Sequence, residues 1–394
     1  MRYGLFIHYG LYSLLEGYWK DQETTFYAEW IQHTLSIKKE DYRRLTERFS
    51  PSAFDADQLV EDAISLGFSY LVLTAKHHEG FSLFDTKVSD YNARLACGRD
   101  LIKELSIACE KRNFPLGLYY SQAQDWYHGG YFAYQPRPEG FEDYFKSICL
   151  PQVEELLTNY GKIELLWFDT PMDMKEEEIR ELHGLVKRLQ PSCQISGRIG
   201  RNYGDYLVTG DNMLPSQYHP PVWEVPMTLS TSWGYRRGDK WESLEDLLQT
   251  ISKVMLRGGR VLLNIGPKGD FSIPFEATDR LQKLAPPIKH LLDLLKKEEL
   301  HYPYDDPGLL LFKDGKILYV LLLDERKRLG LYNLLSKVEK VYLGEEEIPF
   351  VQTESLEGDP YLGISLPQQG PLMLKIHCAE EISFLPFGHA LDKK

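Results

Sequence analysis

The stretch Glu164-Leu-Leu-Trp-Phe-Asp-Thr170 decides the fold of this chain, because it is an apolar run that ends in a single carboxylate. A continuous run of aliphatic and aromatic residues is typical of a parallel strand that is buried on both faces. Asp169 then lies at the carboxyl end of the strand, where barrels of parallel strands carry their catalytic groups. An Asp at this place can equally cap the helix that follows. The stretch alone leaves both interpretations of Asp169 open.

The first 300 residues repeat this pattern of an apolar strand followed by an amphipathic helix. Strands are predicted near residues 5–10, 70–75, 115–121, 162–169, 194–198 and 260–264. Helices are predicted to end at Gly67 and to span 100–112, 141–160, 176–190, 243–256 and 277–297. Strands that alternate with helices predict an α/β fold, a (β/α)8-like barrel of the TIM type, whose strand exits meet on one face.

The sequence pattern changes beyond Tyr302. Short alternating β segments follow one another there, separated by Asp-Gly, Gly and Pro. This pattern predicts a small C-terminal antiparallel β domain. We therefore predict a catalytic barrel domain at residues 1–299 and a β-sandwich-like domain at residues 300–394.

Composition narrows the range of partners. The formal net charge of -13 disfavours nucleic acid and anionic membranes, because both would be repelled by the average surface field. The 25 Tyr and 7 Trp suit either stacking on sugar rings or lining a polar cleft.

The five Cys are scattered and odd in number, so ordinary reduced thiols are expected. Without a recognisable signal peptide or membrane-spanning stretch, we expect a cytoplasmic protein. The sequence allows a homo-oligomer.

Polar and aromatic side chains stand at the predicted strand exits, and a barrel would bring them together on one rim. They are His8, His77, His78, Tyr120, Trp167, Asp169 and Arg198. One interpretation is a metal-dependent barrel hydrolase with His8, His77 and Asp169 as ligands. Against it, such hydrolases commonly carry two histidines one residue apart on the first strand. Here His8 is followed by Tyr9-Gly10.

The other interpretation is glycoside hydrolysis, which requires two carboxyl groups and neutral hydrogen-bonding groups for the sugar hydroxyls. Asp169 would supply one carboxyl group. The second would come from the irregular segment 201–241, where the candidates are Asp205, Asp211 and Glu224. A catalytically inactive sugar-binding barrel is a third alternative.

A series of short motifs runs from residue 4 to about residue 295. They are Gly4-Leu-Phe-Ile-His8-Tyr-Gly10, Tyr27-Ala-Glu-Trp30, Leu73-Thr-Ala-Lys-His77-His78-Glu-Gly-Phe81, Gly117-Leu-Tyr-Tyr-Ser121, Leu166-Trp-Phe-Asp169, Gly204-Asp-Tyr206, Trp223-Glu224, Ser232-Trp-Gly-Tyr235 and Gly258-Gly-Arg-Val-Leu-Leu-Asn264-Ile-Gly-Pro267. In these residues and in their order, the chain resembles the α-L-fucosidases of glycoside hydrolase family 29.

The resemblance implies a retaining exo-glycosidase that releases α-L-fucose from fucosylated oligosaccharides or glycosides, without a cofactor or metal. Asp169 would be the nucleophile that forms a covalent fucosyl intermediate. The acid/base would be Glu224 or Asp211, and the resemblance does not choose between them. The fucose would be bound by His8, Trp30, His77, His78, Tyr120, Trp167, Arg198 and Trp233, with Trp233 facing its C6 methyl group.

Overall fold

The structure, a computed structural model, describes residues 1–215, 222–300, 302, 306, 308–322, 326–355, 358–366 and 372–385. The chain divides into two compact units, Met1–Pro286 and Pro287–Lys394. The predicted domain boundary at 299/300 remains a prediction.

The first unit is built on one parallel sheet, which has eight strands in the described part of the chain. They are β1 (Tyr3–Ile7), β2 (Tyr70–Lys76), β3 (Leu116–Ser121), β4 (Leu165–Asp169), β5 (Gln194–Ile195), β6 (Leu207–Val208), β7 (Trp223–Thr228) and β8 (Arg260–Ile265). The order across the sheet is β5-β4-β3-β2-β1-β8-β7-β6, and a parallel bridge between Ser196 and Tyr206 links its two ends. The predicted (β/α)8-like barrel is therefore confirmed.

Helices follow most of these strands. The long ones are α1 (Ala56–Ser65), α2 (Leu101–Lys111), α3 (Leu150–Asn159), α4 (Glu176–Leu189), α5 (Leu244–Leu256) and α6 (Phe275–Leu294). Asp55, Asp100 and Ser243 begin α1, α2 and α5 by accepting a hydrogen bond from a backbone N–H of the first turn. Short helical turns span Leu11–Leu14, Ala28–Trp30, Ile31–Thr34, Lys39–Arg43, Arg44–Arg48, Ala93–Cys97, Phe141–Tyr144, Phe145–Cys149 and Gly197–Ile199, and a small hairpin pairs Tyr18–Trp19 with Gln22–Glu23.

Side-chain alternation along the strands fixes which residues point into the barrel. Leu165 and Trp167 of β4 belong to an interior cluster with Phe6, Tyr70 and Tyr119. Tyr119 is paired with Trp167 across the β3–β4 ladder, and the two rings stack with centroids 5.6 Å apart. Because successive side chains of a strand point to opposite faces, Tyr120 faces away from this interior.

The second unit consists of antiparallel sheets in its described residues, which confirms the predicted C-terminal β architecture. One sheet orders the strands Glu298–Leu300, Leu309–Asp314, Ile317–Leu322, Leu372–Cys378, Val338–Leu343 and Glu346–Glu347. The other orders Arg328–Tyr332, Pro360–Ser365 and Phe350–Glu354. Aliphatic side chains of both sheets share one core, for example Val320, Leu331 and Ile376. No helix in the described ranges is long and apolar enough to cross a membrane.

Candidate active site

A cavity of about 200 Å³ opens at the carboxyl ends of strands β1 to β4. Its walls combine aromatic rings, histidines, carboxylates and one guanidinium. The lining residues are Phe6, His8, Phe26, Tyr27, Glu29, Trp30, His77, His78, Tyr119, Tyr134, Trp167, Asp169, Thr170, Arg198, Asp211 and Trp233. A concave site with many apolar walls and a few convergent polar groups is typical of a small-molecule binding pocket.

Asp169, the last residue of β4, is the carboxylate at the base of this pocket. Its Oδ2 accepts a hydrogen bond of 2.8 Å from the Tyr119 hydroxyl, and its Oδ1 lies 3.2 Å from Nη1 of Arg198. Burial alone would raise the pKa of Asp169, but the charge of Arg198 and the nearby His78 and Tyr119 outweigh it and lower that pKa. Asp169 is therefore ionised at neutral pH. It does not cap α4, whose N-cap residue is Lys175.

The residue after Asp169 has a strained backbone. Thr170 has φ of 51°, in the left-handed region that a β-branched residue rarely adopts. Such a conformation costs about 1–3 kcal/mol and persists only where surrounding structure enforces it, commonly at functional sites. The turn that follows β4 is thus held in an unfavourable conformation next to the carboxylate.

Asp211 lies in the loop after β6 and shares Arg198 with Asp169. Its Oδ1 forms an ion pair with Nη2 of Arg198, so one guanidinium bridges the two carboxylates. Burial raises the pKa of Asp211, the negative charge of Asp169 raises it further, and Arg198 only partly opposes the shift. The pKa values of the two carboxyls are therefore displaced in opposite directions, that of Asp169 downward and that of Asp211 upward.

Glu224 is placed differently from Asp211. It is the second residue of β7 and pairs with Arg260, the first residue of β8, so it lies near the amino ends of the strands. Its carboxylate is fully buried and accepts hydrogen bonds from Nε1 of Trp167 at 2.7 Å and from the Tyr70 hydroxyl at 2.9 Å, with the Tyr206 hydroxyl at 3.4 Å. The pocket lining does not include it.

Asp205, the remaining candidate for the second carboxyl, also lies away from the cavity. Its Oδ2 accepts hydrogen bonds from Nζ of Lys187 at 2.7 Å and from the backbone N–H of Ile195 at 2.8 Å. Of the three carboxyl groups proposed from the irregular segment, the structure thus brings Asp211 alone to the pocket.

The three histidines are buried and fixed in orientation. Nδ1 of His8 is 2.7 Å from Oδ1 of Asn264, whose amide Nδ2 donates to the Trp233 carbonyl at 2.8 Å. The Asn264 amide thus presents its oxygen to His8, which places the proton of His8 on Nδ1 and leaves Nε2 as an acceptor. Nδ1 of His78 is 2.7 Å from Oγ of Ser121, and His77 stacks on Tyr119.

Burial also sets the charge of these histidines. It lowers the pKa of His8 to about 3 and that of His78 to about 4, and it lowers the pKa of His77 well below its ordinary range. All three rings are therefore neutral at pH 7, so each has one donor and one acceptor nitrogen, and His8 offers Nε2 as the acceptor for a hydroxyl group.

His8, His77 and Asp169, the metal ligands of the metal-hydrolase interpretation, make contacts with other groups. The rings of His8 and His77 have centroids 5.5 Å apart, and Asp169 is engaged by Tyr119 and Arg198. Among the residues that the structure describes, no group of three His, Cys, Asp or Glu side chains is placed to hold a metal ion.

Tyr120 is the predicted pocket residue that the structure places elsewhere. Its side chain is fully buried outside the pocket lining, and its hydroxyl donates to Oε1 of Gln152 at 2.8 Å. The adjacent Tyr119 faces the pocket instead, because side chains alternate along β3. The other predicted contacts all line the cavity: His8, Trp30, His77, His78, Trp167, Arg198 and Trp233.

Glu29 is a pocket carboxyl that sequence reasoning missed, although the motif Tyr27-Ala-Glu-Trp30 contains it. It is 1% exposed, and its Oε2 accepts hydrogen bonds from the backbone N–H of Gly234 at 2.8 Å and from Oγ of Ser232 at 3.3 Å. Burial raises the pKa of Glu29 to about 7. Phe26, Tyr27 and Tyr134 were also missed, since they lie on loops whose position no local pattern predicts.

The fold and the pocket point to a class: neutral histidines, aromatic walls and acidic groups at the strand exits of a β/α barrel are the groups with which glycoside hydrolases act on sugars. The particular family follows from comparison with known proteins. The model of the family Alpha-L-fucosidase matches residues 1–289, and the chain belongs to this α-L-fucosidase family.

Individual relatives agree with this assignment. The chain is 29% identical over 314 residues to plasma alpha-L-fucosidase of Homo sapiens, a match that covers 73% of this chain and 66% of that protein. It is 28% identical over 295 residues to tissue alpha-L-fucosidase of Rattus norvegicus, covering 68% of this chain and 62% of that protein. The chain thus spans slightly less than two thirds of the length of these relatives.

Solved structures give the same result. The alpha-L-fucosidase of Vibrio sp. strain EJY3 superposes with a TM-score of 0.85 at 28% identity, covering 98% of this chain and 72% of that one. AlfC of Lactobacillus casei, solved in complex with its α-L-fucose product, superposes with a TM-score of 0.69 at 34% identity, covering 74% of this chain and 96% of that one.

Proposed function

We propose that this protein is a retaining exo-α-L-fucosidase in which Asp169 is the nucleophile and Asp211 the acid/base. The observation that carries the proposal is the pair of pocket carboxylates bridged by Arg198, with their pKa values displaced in opposite directions. Retaining glycosidases need two carboxyl groups roughly 5 Å apart, one ionised and one protonated. Two carboxylates on one guanidinium are compatible with this spacing.

In the first step the ionised Asp169 attacks the anomeric carbon of the bound fucose. The bond from that carbon to the glycosidic oxygen breaks, and Asp211 gives its proton to the departing oxygen. The products are a fucosyl ester on Asp169 and a neutral leaving group. In the second step Asp211 takes a proton from water, the resulting hydroxide attacks the anomeric carbon, and Asp169 leaves as a carboxylate.

The charge of Asp169 helps Asp211 to act first as an acid and then as a base. The charge of Asp169 is one cause of the raised pKa of Asp211 in the free enzyme. Once Asp169 is esterified it is neutral, so that cause disappears and the pKa of Asp211 falls. A group that is an acid in the first step is thereby made a better base in the second.

The rest of the pocket supplies recognition of the sugar. The neutral rings of His8, His77 and His78 and the carboxyl of Glu29 offer donors and acceptors to fucose hydroxyls. Phe6 and Trp233 form an apolar wall with ring centroids 5.9 Å apart. Contact with such a wall favours a 6-deoxy sugar, since one buried methyl or methylene group contributes about 0.8 kcal/mol.

Fucosylated oligosaccharides or glycosides are the substrates that we propose. A single-residue variant of AlfC has been solved in complex with Fucα(1,6)GlcNAc and with 4-nitrophenyl α-L-fucopyranoside. The aryl fucoside is therefore a suitable first substrate for this chain. We expect hydrolysis without added metal and in the presence of EDTA; loss of activity with EDTA would instead support the metal-dependent interpretation.

The decisive experiment combines azide with two variants and reads the stereochemistry of the product. Asp211→Ala should be rescued by azide and yield α-L-fucosyl azide, because azide replaces the water that attacks the fucosyl ester. Asp169→Gly should yield the β-azide, because azide then attacks the substrate directly. Glu224→Ala is the matched comparison and should show no rescue. An α-azide from Glu224→Ala, with none from Asp211→Ala, would transfer the acid/base role to Glu224.

A further inference from the structure

The pocket has a buried end and an exposed end, and the exposed end is aromatic on one side. Asp169, with 14% of its side chain exposed, lies among residues that are almost inaccessible, such as His8, His77 and Trp167. Tyr134 is 76% exposed and Phe26 is 41% exposed. Among the large apolar side chains that are exposed in the described part of the chain, these two line the cavity.

The proposed acid/base gives the direction in which the leaving group departs. Its proton goes to the glycosidic oxygen, so the leaving group must begin beside Asp211 and extend toward solvent. Asp211 has 31% of its side chain exposed, so it lies toward the open end. Tyr27, whose ring centroid lies 4.3 Å from that of Phe26, lines the same cavity as Asp211 and Tyr134. The aromatic side chains of the mouth and the proposed acid/base therefore border one open cavity, through which the leaving group departs.

The exposed ring of Tyr134 is held in place by buried structure. It stacks on Trp30 with centroids 5.5 Å apart and planes 17° apart. Trp30 in turn contacts Trp126 at 5.4 Å, and the backbone N–H of Trp126 donates to the His78 carbonyl at 2.8 Å. The preceding residue, Ala133, is buried with φ of 52°, a conformation that persists only when its surroundings enforce it. Tyr134 is thus an exposed ring on a fixed support.

We propose that Tyr134, with Phe26 on the same Trp30 ring at 5.8 Å, is the platform on which the leaving-group sugar of a fucoside stacks. This inference rests on the proposed fucosidase function and names its substrate class: fucose linked to a neutral pyranose. The C–H face of a pyranose is apolar while its hydroxyls stay in water, which matches a ring with one face on Trp30 and the other exposed. A lipid aglycone would need an enclosed apolar groove, whereas Arg198 and Asp211 make this mouth polar.

The test compares two substrates that share fucose and differ in the leaving group. Fucosyl-α-1,6-N-acetylglucosamine extends over the platform, whereas the fluoride of α-L-fucosyl fluoride is too small to reach it. The readout is the ratio of the two kcat/KM values, which cancels any effect of Tyr134 on the fucose site itself. We expect Tyr134→Ala to lower this ratio by about three- to tenfold, the range for the loss of one aromatic stack. Phe26→Ala should lower the ratio less.

Two further variants are controls. Tyr134→Phe keeps the ring and should keep the ratio. Phe275→Ala removes an aromatic ring of matched exposure, 77%, that does not line the cavity, and should leave the ratio as in the wild type. Thermal unfolding of each variant confirms that it is folded.

Each other outcome overturns the inference in a recognisable way. An equal loss on both substrates would mean that Tyr134 only supports the fucose site. A loss with 4-nitrophenyl fucoside but not with the disaccharide would mean that the platform serves aromatic aglycones and not sugars. A wild-type protein that hydrolyses neither the fluoride nor the disaccharide would overturn the proposed function, and the platform with it.

Discussion

The rim and the interior of the barrel each hold carboxyl groups, partly exposed at the rim and fully buried in the interior, and the two regions stabilise these groups by different means. At the rim, Asp169 and Asp211 share the guanidinium of Arg198. In the interior, Glu224 is held by the neutral N–H of Trp167 and the hydroxyls of Tyr70 and Tyr206. Burial raises the pKa of both Asp211 and Glu224. A raised pKa therefore does not identify a catalytic acid; access to the substrate does, and Glu224 has none in this arrangement.

Replacing the rim carboxylate Asp169 should have the largest effect on activity. Asp169→Asn keeps the size of the side chain but removes the nucleophile, so we expect kcat on 4-nitrophenyl α-L-fucoside to fall about 10⁴-fold or more. Glu224→Gln, which makes the same chemical change in the interior, should lower kcat by less than about tenfold. Steady-state kinetics of the two variants give the comparison, and equal losses would remove the distinction between rim and interior.

Replacing the second rim carboxylate should have an effect that depends on the leaving group. We expect Asp211→Ala to lower kcat/KM about 10³-fold on a fucosyl disaccharide, within the usual range for loss of a general acid. The loss should be much smaller on 4-nitrophenyl fucoside, whose leaving group needs little protonation. If both substrates lost activity equally, Asp211 would have a role in binding or folding instead.

The interior carboxylate should affect stability more than chemistry. Glu224→Ala leaves the donors of Trp167 and Tyr70 without an acceptor, at about 1–3 kcal/mol for each buried unsatisfied group. We expect the free energy of unfolding in urea to fall by about 3 kcal/mol. Glu181→Ala, which removes a carboxylate from an exposed ion pair with Lys146, should cost at most about 1 kcal/mol. A stable Glu224→Ala protein would show that the interior hydrogen bonds contribute little.

The pH profile of kcat/KM should have two limbs, one for each rim carboxyl. On each limb kcat/KM should change about tenfold per pH unit. Asp169 has a lowered pKa and must be ionised, so kcat/KM should rise with pH as Asp169 loses its proton. Asp211 has a raised pKa and must be protonated, so kcat/KM should fall at higher pH as its proton is lost. With Asp211→Ala on an activated substrate, the alkaline limb should disappear and the acid limb should stay. An alkaline limb that persists would belong to another group, such as Glu29.

The sequence was sufficient for those features that depend on local periodicity. The run ending at Asp169 is buried β4, and the alternation of strands and helices is the barrel. The sequence was not sufficient to tell which of two neighbouring side chains of a strand faces the pocket. Both Tyr119 and Tyr120 stand at the end of β3, and only the pairing of Tyr119 with Trp167 shows which one faces the pocket.

The two candidate acids show a second limit. Glu224 lies in β7, a strand whose Pro226 made the segment look irregular, since Pro is rare within a sheet. Once β7 is recognised, Glu224 is its second residue and must lie at the end away from the rim. Asp211 follows the two-residue strand β6 in a loop, and the approach of that loop to Arg198 depends on contacts between residues 13 positions apart. No periodic pattern encodes such a contact.

Asn264 has a consequence for the order in which the site is completed during synthesis. Its amide joins His8, at the end of the first barrel strand, to the carbonyl of Trp233. The group that fixes the proton of His8 on Nδ1 is made 256 residues after His8 itself. In a nascent chain, His8 therefore lacks its hydrogen bond to Asn264 until the last barrel strand has been made. The pocket and the closure of the barrel between β1 and β8 are completed in the same event.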